Sequence, residues 1–169
     1  YTVPGDIMYR KYWYKSGTNA TMTNELMGIA KKAQELMRLY TGDVFLDIGC
    51  NDGTLLSFID KSIVRIGFDP NNFKAESIRH ADIIVNNYFT HKEYKKTKVI
   101  TSIAMFYDLE DPNAFVQDIA RTLDKNGLWI LQMSYLPLML KQLAFDNICH
   151  EHLEYYSLST LKNLLDRQD

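Results

Sequence analysis

A short stretch near the C-terminal end of the chain concentrates side chains that can move protons. Two of the four histidines and two carboxylates fall within the five residues 150–154. Histidine has the side-chain pKa nearest to physiological pH, and a neighbouring carboxylate can orient its ring and stabilise the imidazolium that forms. General acid–base catalysis is therefore one interpretation of this stretch.

Two other interpretations of the same stretch stay open. His150 and His152 would share one face of a strand and could begin a metal site, but no third ligand stands at a convincing spacing. Their spacing also differs from the i, i+4 pair of the helical zinc proteases. The polar residues could instead cap a helix that begins near Ser159. We expect no bound metal.

A second group of residues that could bind a ligand surrounds a glycine-containing loop. The loop has the sequence Asp47-Ile-Gly-Cys-Asn-Asp-Gly53 and follows a short apolar run. Gly49 allows a sharp backbone turn, and Gly53 permits a close approach at the start of the next element. Asn51 stands where a dinucleotide-binding loop would carry its second glycine, so an NAD-dependent reductase is a weaker alternative. The glycines could also simply make a tight turn.

Asp69 follows another apolar run, residues 64–68. A carboxylate at the end of a second strand can accept hydrogen bonds from both hydroxyls of a ribose. Asp69 is therefore the second ligand-binding candidate of this half of the chain.

Apolar runs and helical periodicity predict the elements that position these loops. The expected strands are largely apolar and alternate with helices, which indicates a parallel sheet that is covered on both faces. The fold class is therefore α/β and doubly wound, with ligands at the carboxyl ends of the strands. The expected strands are residues 44–48, 64–68, 82–85, 99–105 and 128–133, and the expected helices are 22–40, 54–59, 112–127 and 161–165.

Composition excludes several classes of protein. The chain has 169 residues, of which 46% are hydrophobic and 24% charged, with a net charge of −2. That balance is typical of a globular domain with no nucleic-acid or membrane partner. The longest apolar run, residues 127–140, is shorter than the ~20 residues of a membrane-spanning helix, so we expect it to be a core segment. Two well-separated cysteines indicate reduced thiols, and we expect a cytoplasmic location.

The loop Asp47-x-Gly49-x-x-x-Gly53 followed by Asp69 resembles the class I S-adenosylmethionine-dependent methyltransferases over about residues 44–135. The resemblance implies that S-adenosyl-L-methionine is the cofactor. It also implies which residues hold that cofactor. The loop would hold the methionine part, Asp69 would bind the ribose, and residues 86–89 would lie beside the adenine. The fourth strand would add a further contact. The cofactor-binding residues would thus be Asp47, Gly49, Asn51, Gly53, Asp69, Asn87 and Ser102.

The triplet His150-Glu-His152, the following Tyr155-Tyr-Ser157 and the first loop together resemble the methyltransferase domain of the nucleotide-sugar C-methyltransferases. Those enzymes methylate a carbon next to a keto group of a deoxysugar, and this carbon must first lose a proton. The resemblance implies that His152 removes this proton, that Glu151 orients or assists it, and that the resulting enolate attacks the methyl group. The acceptor would then be a nucleotide sugar, a small-molecule substrate.

The N-terminal segment from Tyr12 to Asn19 resembles the family's aromatic segment that folds over the cofactor. Tyr14 would hold substrate or cofactor there, and Ser16 would contact the cofactor. The alternative is a hydrophobic lid packed on the sheet edge. For the whole chain, an O- or N-methyltransferase of another small molecule and a non-catalytic cofactor-binding module also stay open.

The resemblance implies a mostly parallel Rossmann-like sheet in a single methyltransferase domain, residues 1–169. We expect an N-terminal aromatic lid and helix in residues 1–43, a cofactor-binding core in 44–135, and a catalytic segment with the final helix in 136–169. The family fold continues into two antiparallel edge strands, for which no residues remain after 161–165. A second copy of the chain or flanking domains would then cover the open edge.

Overall fold

The computed structural model describes residues 3–71, 80–91, 94 and 96–168. Within them, five strands form one sheet in the order β3-β2-β1-β4-β5, and every neighbouring pair is parallel. This arrangement confirms the predicted α/β, doubly wound class. The strands are β1 (Val44–Ile48), β2 (Val64–Phe68), β3 (Ile83–Val85), β4 (Thr97–Ile103) and β5 (Leu123–Gln132).

Side-chain caps explain where several of the helices begin. The Asn19 side chain accepts hydrogen bonds from the backbone N–H groups of Thr21 and Met22, so the long N-terminal helix begins before residue 22. Asp111 caps the helix that opens with Pro112, whose missing N–H costs nothing there. The described helices are α1 (Gly5–Tyr9), α2 (Ala20–Leu36), α3 (Pro112–Thr122), α4 (Leu136–Gln142) and α5 (Leu158–Leu165).

Several elements differ from the sequence-based expectation, and three of the differences bear on the site and its surroundings. Residues 54–59 form only a three-residue 3-10 turn, Leu56–Phe58, because a segment this short gains too few helical bonds to offset nucleation. β5 begins at Leu123 rather than at residue 128, after an irregular register between Thr97 and Val99 of β4. The apolar run 127–140 ends in α4, where Leu140 is 65% exposed, so the run is not core throughout.

The sheet is buried on both faces. Phe45 and Leu46 are neighbours in β1 and belong to different apolar clusters, because successive strand side chains point to opposite faces. Leu26 of α2 packs in the Phe45 cluster, whereas Ile119 of α3 packs in the Leu46 cluster. Helices on opposite faces therefore fix the sheet, and the carboxyl ends of its strands are left to form a site.

The described sheet ends at β5, which pairs with β4 along one edge only. No sixth or seventh strand is present among the described residues, and Tyr135 makes only an isolated parallel bridge with Tyr156. In the part of the chain that the structure describes, we find no helix that is long and apolar enough to cross a membrane.

Candidate active site

A cavity of about 670 Å³ opens at the carboxyl ends of the strands, and it is lined by loops that follow β1, β2, β3 and β4. The N-terminal aromatic segment and the loop containing His152 complete its wall. The fold thus brings together segments that are far apart in the sequence. The predicted site residues that line this cavity are Tyr14, Ser16, Asp47, Gly49, Asn51, Asp69, Asn87, Glu151 and His152.

Two residues of the sequence-based set do not line the cavity. Ser102 is fully buried, and its hydroxyl oxygen accepts a hydrogen bond from Trp129 Nε1 at 3.2 Å. Gly53 closes the turn after β1, since its N–H donates to the carbonyl of Cys50 at 2.9 Å. Ile103 and Ala104 line the cavity at the end of β4 instead. Ser102 and Gly53 are therefore part of the scaffold around the site.

Asp47 ends β1 with a buried carboxylate that faces the cavity. Burial raises the pKa of Asp47 to about 7, the hydrogen bond from the Thr101 hydroxyl at 2.6 Å opposes this, and the charge of Asp69 adds to it. A buried carboxylate favours a cationic partner, because pairing offsets the cost of removing its charge from water. Asp47 is therefore suited to bind an ammonium group.

Asp69 lies beside this carboxylate at the end of β2. Its two oxygens accept backbone hydrogen bonds, Oδ2 from Asn51 N at 2.9 Å and Oδ1 from Asn71 N at 2.8 Å. Burial raises the pKa of Asp69, and these two hydrogen bonds act in the opposite direction. Each carboxylate oxygen has a second lone pair, so the group can still accept hydrogen bonds from two hydroxyls of a ligand.

The loop after β1 holds the N-terminal strap, which we define as residues 12–17. Asn51 has φ 52°, in the left-handed region that asparagine tolerates better than most residues. Its Oδ1 accepts from Ser16 N at 3.0 Å, and its Nδ2 donates to the Tyr14 carbonyl at 3.0 Å. Asp52 Oδ2 accepts from Gly17 N at 2.9 Å. These bonds place Tyr14 and Ser16 over the cavity.

The aromatic rings of the strap contact one another, but not all of them line the cavity. Trp13 is 85% exposed and does not line the cavity, whereas Tyr12 and Tyr14 do. The Asn71 side chain donates a hydrogen bond to the Tyr12 carbonyl. The strap is thus held mainly through its backbone, which leaves two of its rings available to the cavity.

The His152 ring has a defined orientation at the other side of the cavity. His152 Nδ1 lies 2.8 Å from the carbonyl oxygen of Asn147, and because a carbonyl can only accept, Nδ1 carries the proton. The unprotonated nitrogen of the neutral ring is therefore Nε2. The ring is oriented by this carbonyl rather than by Glu151, which was the expected partner.

Glu151 supplies charge at this wall of the cavity. Hydrogen bonds from its own backbone N–H and from the Cys149 thiol lower the pKa of Glu151, so its carboxylate stays ionised near neutral pH. Exposed His150 does not line the cavity. Within the described ranges, no group of three or more His, Cys, Asp or Glu side chains is placed to hold a metal ion.

Asp108 is a functional candidate that the sequence reasoning missed. It lines the cavity, its Oδ1 is buried with no hydrogen-bond partner among the described residues, and the Tyr9 hydroxyl hydrogen-bonds its carboxylate. Burial raises the pKa of Asp108 to about 7, the Tyr9 hydrogen bond opposes this, and nearby Glu151 adds to it. Its position after β4 was an available signal, but Glu110 and Asp111 share that position.

The described lining of the cavity carries many carboxylates and no lysine or arginine. Such a lining attracts cationic ligands and disfavours anionic ones, because the low-dielectric walls concentrate the field of the carboxylates. The acidic residues of this lining are Asp47, Asp69, Asp108, Asp111, Asp118 and Glu151.

Most of the chain, residues 23–169, matches the methyltransferase domain family. The chain belongs to this methyltransferase family. The match includes both loops of the cavity wall that follow β1 and β4, together with Glu151 and His152.

Relatives of this methyltransferase domain agree with that assignment. The C-methyltransferase NovU of Streptomyces niveus is 22% identical over 175 residues, which cover 98% of this chain and 42% of NovU. The chain thus spans less than half of the length of that relative.

Solved structures show the same fold at low sequence identity. The Haloferax volcanii methyltransferase complexed with its Trm112 activator superposes with a TM-score of 0.70 at 19% identity, covering 90% of this chain and 72% of the other. The plantazolicin methyltransferase BpumL, solved with S-adenosylhomocysteine, gives a TM-score of 0.68 at 17% identity over 90% and 66%. YcgJ of Bacillus subtilis gives 0.66 at 17% identity over 86% and 68%.

Proposed function

We propose that this methyltransferase uses S-adenosylmethionine to methylate a carbon α to a keto group of a nucleotide-linked sugar, by way of an enolate. The observation that carries the proposal is the state of His152. Its Nδ1 is committed to the Asn147 carbonyl, and its ring lines the same cavity as Asp47 and Asp69. A base in reach of the cofactor pocket is what carbon methylation needs and what a readily attacking thiolate would not need.

The cofactor is S-adenosylmethionine, in agreement with the family and with the S-adenosylhomocysteine that BpumL binds. The residues of the cavity fit such a ligand. The cavity volume of about 670 Å³ suits a cofactor-sized molecule. Gly49 has φ 73°, which glycine adopts more readily than other residues, and a Cβ there would also come within 3.1 Å of the Met105 side chain. Asp47 and Asp69 offer an ammonium site and a hydroxyl site.

Each end of the cofactor then has its own partners. Asp47 would pair with the ammonium group, Asp69 would accept the ribose hydroxyls, and Asn87 would lie beside the adenine with Phe89. Ser16, which belongs to the strap, would contact the cofactor from above the cavity. When bound, the cofactor supplies a methyl group on a positively charged sulfur, which a carbon nucleophile can attack.

The remaining residues act on the acceptor. His152 Nε2 accepts the α-proton, and the neutral ring becomes an imidazolium that the ionised Glu151 stabilises. The electron pair of the broken C–H bond delocalises onto the keto oxygen as an enolate. Tyr14 and the strap would cover the acceptor and slow the entry of water, so that methyl transfer from S-adenosylmethionine is faster than reprotonation of the enolate.

Exchange of the α-proton with solvent tests the base independently of methyl transfer. A nucleoside diphosphate-linked keto-deoxyhexose is incubated in D₂O with the protein and S-adenosylhomocysteine, and deuterium at the α-carbon is followed by NMR. The wild type should exchange it, and His152→Gln should be slower by about 10²–10⁴-fold. The matched control His150→Gln should exchange like wild type. Full turnover by a His152→Gln protein that binds cofactor normally would overturn the assignment.

The acidic lining favours a second candidate function, O- or N-methylation of another small molecule. The described lining has no lysine or arginine to hold a diphosphate, whereas its carboxylates suit an acceptor amine or hydroxyl. This route needs no enolate, so methylation of an amine-bearing acceptor without any α-proton exchange would favour it. Under the first proposal, the nucleotide must be bound by residues outside the described lining, in flanking domains or a second copy.

A cytoplasmic location completes the proposal. Cys50 is buried and Cys149 is exposed, and both are free thiols. A reducing compartment keeps an exposed thiol in that state.

A non-catalytic module that only binds the cofactor would leave every acceptor unmethylated, although it would still bind S-adenosylhomocysteine.

A further inference from the structure

Asn51 lies between two parts of the site that ligands would meet separately. Its backbone N–H donates to Asp69 Oδ2 at 2.9 Å, on the side where a ribose would bind. Its side chain bonds the N-terminal strap at Ser16 N and at the Tyr14 carbonyl. A single residue therefore contacts both the acid that would hold the cofactor and the segment that covers it.

The hydrogen-bonding capacity of the Asn51 side chain is nearly used up within the protein. Oδ1 accepts from Ser16 N at 3.0 Å and from Asp52 N at 2.9 Å, which occupies both of its lone pairs. Nδ2 donates one hydrogen to the Tyr14 carbonyl at 3.0 Å. The side chain is thus committed largely to the strap, and the direct cofactor contact of Asn51 stays a prediction.

The strap and the loop after β1 approach each other closely. A Cβ at Gly17 would lie 2.7 Å from Thr54 Oγ1 and 3.0 Å from Asp52 Oδ2, so only glycine fits at this point of the strap. Gly17 N also donates to Asp52 Oδ2. This contact adds a second hydrogen-bonded point beside the Asn51 side chain and keeps the strap in one register over the loop.

The backbone of Asn51 gives the two contacts a shared cause. At φ 52°, the residue occupies a conformation that costs free energy for any residue with a Cβ. That conformation directs the N–H towards Asp69 while the side chain reaches the strap. A ligand on Asp69 and the closed strap therefore favour the same state of one residue, and each favours the other through it.

We propose that Asn51 is a positioning residue that couples cofactor binding at Asp69 to closure of the N-terminal strap. Coupling of this kind is reciprocal, so the cofactor holds the strap closed by the same factor by which the closed strap tightens the cofactor. The acceptor would then meet a covered site only after the cofactor is in place. The inference does not depend on which acceptor is methylated.

The Ser16 and Gly17 amides report on the strap directly, because they donate into the loop. Their hydrogen exchange is measured by NMR with and without S-adenosylhomocysteine, and its dissociation constant is measured by calorimetry. In wild type, the ligand should slow exchange of Ser16 N–H about tenfold or more. Asn51→Gly keeps the N–H to Asp69 and tolerates φ 52°, but removes the side-chain bonds. In that variant, the slowing should fall below about twofold and the dissociation constant should rise about tenfold.

Two further variants separate coupling from general damage. Asn126→Gly makes the same chemical change at an exposed position away from the cavity and should behave like wild type. Asn51→Asp keeps the acceptor oxygen for Ser16 N and loses the donor to Tyr14, so ligand-dependent protection of Ser16 should be intermediate. This variant answers the question if Asn51→Gly does not fold.

The results that overturn the coupling differ from those that overturn the reaction. Wild type that binds S-adenosylhomocysteine without slower Ser16 exchange, or Asn51→Gly with wild-type slowing and affinity, would refute the coupling and leave the proposed C-methylation standing. Tight coupling together with no α-proton exchange would refute the reaction and leave the role of Asn51 standing.

Discussion

The rings of Tyr107 and His152 pack with their centroids 4.2 Å apart, and the Tyr107 carbonyl accepts hydrogen bonds from Leu153 N and Glu154 N. Tyr107, which follows β4, thus supports the loop that contains His152 (the histidine loop) through both its ring and its backbone. The carbonyl of Asn147 orients the same ring from within the loop. The proposed base is therefore positioned by neighbours that do not themselves transfer protons.

Replacing Tyr107 should test this support. Tyr107→Ala removes the ring and should lower kcat about 10–100-fold, since a misplaced general base loses much of its 10²–10⁴-fold contribution. Burial raises the pKa of Tyr107, so its hydroxyl stays protonated and Tyr107→Phe should keep most of the activity. Steady-state kinetics of the two variants distinguishes packing from proton transfer, and equal losses in both would contradict the packing role.

Asp47 should make cofactor binding depend on pH. Its pKa is raised from about 3.9 to about 7, so the folded protein holds this proton between those values and the group weakens the fold as the pH rises through that window. An ammonium group pairs with the charged form, so affinity for S-adenosylhomocysteine should increase from pH 5.5 to 7.5, with proton release detectable by calorimetry in different buffers.

Asp47→Asn serves as the control for that pH dependence. It should bind more weakly at pH 7.5, show a flat profile, and unfold at a higher urea concentration than wild type at pH 8, where wild type carries the buried charge. A wild-type affinity that is independent of pH would show that Asp47 does not hold the ammonium group.

Asp108 should act on the acceptor rather than on the cofactor. Asp108 lies in the cavity wall, and rotation of its side chain would turn the buried, unpartnered Oδ1 towards an acceptor hydroxyl. Asp108→Asn should raise the KM for the acceptor about tenfold, the order expected when the charged partner of a hydrogen bond becomes neutral. Its affinity for S-adenosylhomocysteine should stay within twofold of wild type. The exposed neighbour Glu110, altered to Gln, should change neither quantity.

Ser102 should matter for stability and not for the cofactor. Ser102→Ala leaves the half-buried Trp129 indole N–H without its partner, which should lower the free energy of unfolding by about 1–3 kcal/mol. Urea denaturation measures this loss, and calorimetry should find an unchanged dissociation constant for S-adenosylhomocysteine. A selective loss of cofactor affinity would return Ser102 to the site.

The sequence allowed the fold to be predicted more closely than the side-chain roles. β1 and β2 have the predicted bounds, because a mostly apolar run between turn residues favours a buried strand. Ser102 shows the limit, since its place on β4 was right while the direction of its side chain was not predicted.

Roles that depend on distant partners could not be predicted in the same way. The bonds of Asn51 reach residues that are 35 and 37 positions away, and no local pattern announces them. Asp108 was equally hidden among neighbouring acids, because only the folded chain shows which carboxylate oxygen is buried without a partner.

The pairing of β1 with β4 also sets the order in which this protein can gain activity as it folds. The strap is held after β1 and the histidine loop after β4, and their partners come from opposite ends of the chain. Both segments line the cavity that β1 and β4 form together, so they can complete it only after these two strands have paired, and that pairing joins distant parts of the chain at the cost of loop-closure entropy. During refolding, secondary structure should therefore recover before cofactor affinity, and a short-lived species would have the sheet without a working site.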